Sequence, residues 1–236
     1  MKTKRILACI LTVLMLTALI VPTVFADDRT VHIANADDLK KLAKKCQLDT
    51  YSQGLTVILD NDIDLQGEAL TPIPIFRGSF EGGGYTISNF VLGTDGSNQG
   101  FFRYIEESGV VNNLKLEGTV APDGSGAYVG GLVGTNRGLV NNCSFNGTVT
   151  GVYNVGGIAG ENYGTIRDSV AYGMVSGKNY TGGIAGFNSG VLRSCENNAS
   201  VNTSISESQL DLENLNLVDL NSTELSATQD SDPASD

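Results

Sequence analysis

The sequence predicts an all-β protein: a parallel β-helix (solenoid) with one short N-terminal helix and a disordered acidic C-terminal tail. Three observations carry this reading. First, "GGLVGTNRG" at 130–138 returns as "GGIAGENYG" at 156–164 and "GGIAGFNSG" at 182–190, a spacing of 26 residues. A fixed period of that length marks a solenoid, in which no unit buries its apolar face alone and each must stack on its neighbours. Second, residues between the glycine clusters alternate. Leu114, Cys143, Ser169 and Cys195 share one column, and two residues on stand Leu116, Phe145, Ala171 and Asn197. Gly118, Gly147, Gly173 and Ala199 follow, then Val120, Val149, Val175 and Val201. Small or apolar residues at period two describe strands with one face buried. Third, the units lack helical periodicity, and all 29 glycines fall between Gly54 and Gly190, where they punctuate short strands.

Along the chain, residues 1–26 place Lys2, Lys4 and Arg5 before an apolar run to Ile20 and a small-residue cleavage site at Val24-Phe25-Ala26. That order is a signal peptide. Residues 27–54 form an N-terminal cap. A short strand from Val31 leads to Asn35, Asp37 or Asp38 as helix cap, and Leu39, Leu42, Ala43 and Cys46 recur at helical spacing. Lys40, Lys41, Lys44 and Lys45 occupy the other face and read as a solvated surface, because nothing basic extends the patch.

The β-helix occupies 55–203. It opens with the alternating, β-branched strand "LTVILDNDIDL" at 55–65, continues through "GSFEGGGYTISNFVL" and "GVVNNLKLEGTV", and runs into repeats at 130–155, 156–181 and 182–203. The frame sets Asn89 with Asn113 and Phe90 with Leu114, and makes Leu132, Ile158 and Ile184 another apolar column. Residues 204–236 carry eight acidic residues and no Lys, Arg or Gly. There "LDLENLNLVDL" is a candidate capping strand over the last coil, and "STELSATQDSDPASD" reads as disordered.

Charge and cysteine content narrow the function. Loss of Lys2, Lys4 and Arg5 with the leader leaves twelve basic against 26 acidic residues, a formal charge of −14. Nucleic-acid binding needs clustered Lys and Arg and is excluded on that balance. Cys46, Cys143 and Cys195 remain after the leader, an odd number for a disulfide framework. Cys143 and Cys195 lie two coils apart, roughly 9–10 Å between Cα atoms and beyond disulfide reach.

The candidate sites are sparse. "GGLVG" lacks the Lys-Ser/Thr pair and following helix of a phosphate loop, so its glycines serve turns. Asp60, Asp62 and Asp64 alternate and would share one face of a continuous strand, where calcium is a weak candidate against the reading of solvated carboxylates. The expected metal is none, as is any cofactor. Glu161, Asp168 and Glu196 share no column, so the carboxylate pair of glycoside hydrolysis is not formed. Arg167 and Arg193 share a column beside Asp168 and read as a surface ion pair. His32 stands away from any acid or nucleophile pattern. Tyr128, Tyr153, Tyr163, Tyr172, Tyr180 and Phe187 do not recur at the period, so no aromatic ladder is read from them.

From Val129 to Val201 the sequence resembles tandem GLUG-motif repeats of secreted and surface-attached bacterial proteins, and 59–92 is similar to the segment that precedes such repeats. The resemblance spans about 31–203. It implies a right-handed parallel β-helix, as in adhesin-like proteins and beside the catalytic domain of immunoglobulin-A-specific metallopeptidases. The chain has neither a zinc-binding His-Glu motif nor an evident wall-sorting signal, so peptidase activity and covalent attachment do not carry over. The expectation is a non-enzymatic, adhesin-like module, secreted or at the cell surface. It would bind an extracellular glycan or protein or serve as a stalk, free of the membrane once the signal is cleaved. The alternative is a degenerate polysaccharide-active β-helix, a lyase or hydrolase.

Overall fold

The computed structural model describes residues 29–124 and 126–203. The predicted signal peptide and the predicted capping segment and tail lie outside the described residues. Within them the chain winds as a parallel β-solenoid of about seven turns with one helix.

Each turn visits up to four faces. In the regular coils, Leu139–Asn141 lies on the first face, Ser144–Thr150 on the second, Tyr153–Gly156 on the third and Ala159–Asn162 on the fourth. The chain then returns to the first face at Thr165–Arg167. The faces hold seven, six, three and five strands respectively, and every strand pairing is parallel. Register follows the sequence period: Phe145 pairs with Ala171, Val149 with Val175 and Gly156 with Gly182. The third face appears only from Ala127 onward, where the regular repeats begin.

Two predicted alignments differ. The strand expected over 55–65 breaks into Leu55–Leu59 on the first face and Ile63–Asp64 on the second, with a corner between them. Asn89 and Phe90 do not align with Asn113 and Leu114. Strand Thr86–Leu92 pairs Ile87 with Leu116, bulges, and then pairs Phe90 with Gly118. The strands are offset by 29 residues before the bulge and 28 after it, so this coil is longer than the 24 residues the expected alignment requires, and the bulge itself takes up one residue.

The interior explains the alternation. Leu114, Leu116, Val120, Leu132, Val140, Phe145, Val149, Ile158, Ile166, Ala171 and Val175 are fully buried. Upstream, Phe76, Phe80, Phe90, Phe101 and Phe102 fill the core in edge-on and tilted contacts, their ring centroids 5.1 to 6.4 Å apart. The core then narrows along the column Leu116, Phe145, Ala171, Asn197.

Glycine is required where backbones meet. At the corner between the third and fourth faces, a Cβ on Gly130, Gly156 or Gly182 would stand 2.1 to 2.2 Å from the carbonyl oxygen three residues on. On the second face a Cβ on Gly147 would lie 1.9 Å from the Gly118 oxygen, and φ there is 153°. The repeated glycines are therefore corners and close stacking contacts.

The helix, Ala36–Lys45, starts at Asn35, whose side chain accepts from the Asp38 amide at 3.1 Å. Its buried residues Leu39, Leu42 and Ala43 pack against the strands Arg29–Ile33 and Ile73–Phe76 at the N-terminal end of the stack.

Candidate functional site

The acidic candidates are placed apart. Asp60 meets His32 Nδ1 at 2.7 Å, so the histidine expected to stand away from acids has one beside it. That contact arises because Arg29–Ile33 and Leu55–Leu59 run parallel in register, a pairing outside the 26-residue repeat region. Asp62 accepts from the Thr86 amide at 2.7 Å. Asp64 accepts from Asn89 Nδ2 at 2.9 Å and the Gln66 amide at 2.8 Å, and these bonds hold its carboxyl below the ordinary range. Asp60 and Asp62 lie in the corner between the two strands and Asp64 in the second strand, and each serves a different backbone or side-chain partner. Among the described residues no group of three or more His, Cys, Asp or Glu is placed to hold a metal ion.

Arg167 and Arg193 are cross-strand partners, as the column implied. Arg167 nevertheless donates from Nε to Asn141 Oδ1 at 2.8 Å rather than pairing with Asp168. It terminates an outward polar ladder in which Asn112 donates to Glu81 and Asn141 donates to Asn112. Asp168 takes the left-handed corner conformation, φ 51°, shared by Asn113, Asn142 and Ser194. The lysines of the helix are mostly engaged: Lys40 with Glu68, Lys41 with Asp38, and Lys45 over the Tyr51 ring at 5.6 Å.

A feature the sequence reading missed is a second, buried ladder. Asn136 Nδ2 donates to Asn162 Oδ1 at 2.8 Å, and Asn162 Nδ2 to Asn188 Oδ1 at 2.7 Å. Asn136 Oδ1 also accepts from the Gly138 amide at 3.2 Å. Asn136 and Asn162 are 0% exposed. Their signal was present, an Asn two residues before Gly138, Gly164 and Gly190 in every repeat. Its two inner members, Asn136 and Asn162, are scaffold, while Asn188 at the last described coil is exposed.

Besides an open pocket beside the helix, lined by Lys41, Lys44, Lys45, Gln47, Leu48 and Tyr51, two features of the coils face outward. The first is a shallow groove of about 580 Å³ on the second face, lined by Gln66, Asn89, Val91, Thr119 and Thr148 and floored by Gly118 and Gly147. The second lies on the fourth face, at its turn into the first. Tyr163 and Phe187 are 47% and 40% exposed, and their rings stand 5.8 Å apart at 53°. Beside them Asn154 Nδ2 donates to Glu161 Oε1 at 2.9 Å. Partial desolvation, then the nearby Glu161 charge, raise the Tyr163 pKa. The two rings are 24 residues apart because Phe187 stacks on Glu161 and Tyr163 stands two residues further on, a diagonal contact between successive coils that counting by 26 does not pair.

Residues 125–150 match the profile of the GLUG motif. The chain carries a GLUG motif. The GLUG coil thus spans the third-face strand Ala127–Gly130, the glycine corner and the strands up to Thr150. A segment of 71 residues, 29% of this chain, is 42% identical to a protein of Evansella cellulosilytica that bears the name Gly-rich membrane protein. A segment of 77 residues, 32% of this chain, is 36% identical to the halomucin of Haloquadratum walsbyi. The matches cover 8% and 1% of those relatives, so the likeness concerns one short segment of far longer proteins. No solved structure matches.

Proposed function

We propose that this chain is a non-catalytic recognition module, secreted or held at the cell surface, that binds an extracellular glycan along the outside of its GLUG coils. The observation that carries this is the exposed Tyr163–Phe187 pair beside the Asn154–Glu161 amide–carboxylate pair. Aromatic faces stack on the apolar faces of sugar rings, and fixed amide and carboxylate groups bond hydroxyls. A solenoid supplies a long rigid surface for such contacts. Similarity to a named membrane protein and to a halomucin supports a location outside the cytoplasm. The non-catalytic assignment draws support from Glu161 being engaged by Asn154 rather than free to act as an acid or base.

The test is a glycan array run beside a reducing-sugar release assay. Binding without release is expected, and Tyr163→Ala/Phe187→Ala should weaken it by roughly tenfold or more, the scale of losing an aromatic anchor. Sugar release by the wild-type chain would overturn the proposal in favour of a polysaccharide-active enzyme.

A further inference from the structure

The columns of the solenoid do not end alike. On the second face the buried column Leu116, Phe145, Ala171 closes on Asn197, whose side chain accepts from the Ala199 amide at 3.0 Å. That column ends polar, although Val201, four residues on in the same strand, is 37% exposed. On the first face the column Val140, Ile166, Leu192 stays apolar. Exposure there rises from 0% at Val140 and Ile166 to 39% at Leu192, with Val191 at 52%.

The fourth-face corner ends with its donors aimed outward. Gly131, Leu132 and Val133 donate to the carbonyls of Gly157 and Ile158 in the next coil, and Gly157, Ile158 and Ala159 donate to Gly183 and Ile184. One period later, the amides of Gly183, Ile184 and Ala185 face the space beyond the last described coil. The asparagine ladder runs in the same direction, so Asn188 arrives at that end with Nδ2 donating to the Gly190 carbonyl at 3.3 Å.

The sequence beyond Thr203 keeps this frame. One 26-residue period after Ile184, Asn188 and Leu192 stand Leu210, Asn214 and Val218. The glycines do not continue: Gly182 and Gly190 are succeeded by Ser208 and Asn216. A Cβ at Gly182 would sit 2.1 Å from the Ala185 oxygen, so a layer without glycine cannot form the same tight corner or template another coil. It can cover one and stop.

We propose that the open first and fourth faces of the last coil are the docking surface for residues 209–219 of the same chain. Leu210 covers Ile184, the Asn214 side-chain oxygen accepts from Asn188, and Val218 covers Leu192. The occupant is intramolecular because the segment follows Thr203 after a five-residue link, which keeps its effective concentration high. A second copy, by contrast, is a chain of like sign, the full sequence carrying a formal net charge of −11. Covering this edge removes the exposed strand donors that otherwise recruit other chains.

The test is amide hydrogen exchange, read by NMR on the chain from Asp27 to Asp236, with molar mass by light scattering. The amides of Gly183, Ile184, Ala185 and Leu192 should exchange slowly in a monomer. Leu210→Asp/Val218→Asp should bring those four to free-chain rates while Val155 and Val175 in inner coils stay protected. Leu215→Asp lies in the column of exposed Ser189 and should change neither group. Free-chain exchange of the four amides in wild type would overturn the proposal, as would slow exchange that Leu210→Asp/Val218→Asp leaves intact. Protection found only in a dimer would name a second copy as the occupant and overturn it equally.

Discussion

The three thiols among the described residues do not share one environment. Cys46 and Cys143 are buried and Cys195 is half-exposed, and all three are free. Ser169 separates Cys143 from Cys195 by taking the intervening coil, its Oγ accepting from the Cys143 amide at 3.1 Å. Burial pushes the Cys46 thiol up to about 11 and the Cys143 thiol up to about 12. A disulfide reagent at pH 8 should therefore label Cys195 in the native protein and the other two only after unfolding; three fast thiols would contradict the burial. The same shifts set an alkaline limit. A thiol is neutral when protonated, and the folded state keeps the Cys143 proton above the ordinary value of 9.0 at which the unfolded chain releases it. Stability from this group is complete below pH 9 and is lost as pH rises from there toward 12, by at most about 1.4 kcal/mol per pH unit. Cys143→Ala should flatten the fall in melting temperature between pH 9 and 11, whatever its constant cavity cost; an unchanged slope would remove Cys143 as the cause.

Among the elements, the parallel stack is held by columns of two kinds, and they were unequally legible in the sequence. The apolar columns could be counted directly, since Leu132, Ile158 and Ile184, or Val149 and Val175, repeat chemistry at every period. The Asn136–Asn162–Asn188 ladder repeats as strictly, yet a buried polar residue breaks the apolar-in, polar-out rule on which the reading rested. Its energetic role is specific: replacing Asn162 removes the acceptor of Asn136 and the donor to Asn188 together. Asn162→Ala should cost about 1–3 kcal/mol in urea unfolding, the scale of a buried polar group left unpaired. Asn146→Ala, on an exposed position of the second face, should stay within about 0.5 kcal/mol. Equal losses would mean that the ladder contributes no more than a surface residue. The bulge at Thr86–Leu92 was hidden for another reason. Phe90 is apolar whichever column holds it, so pattern alone could not show that it covers Gly118 instead of heading the Leu114 column.

At the level of the whole molecule, a local pattern becomes a global surface. Aromatics that look scattered along the chain are collected by the stacking of coils, so the Tyr163–Phe187 pair belongs to the solenoid rather than to any single repeat. For that reason the architecture could be read from periodicity while the candidate site could not: a diagonal contact between coils falls two residues off the period. The fall in core size toward Asn197 and the exposed Leu192 give the stack a direction, packed by phenylalanines at its start and thin at its described end. All of this depends on neighbouring coils being parallel and one period apart. The most direct measurement is a set of NMR nuclear Overhauser contacts between strands of successive coils. Parallel stacking predicts contacts joining Phe145 to Ala171 and Val149 to Val175, and the Asn162 side-chain amide to both Asn136 and Asn188. Contacts running in opposite order along two segments, the mark of antiparallel hairpins, would contradict the solenoid itself.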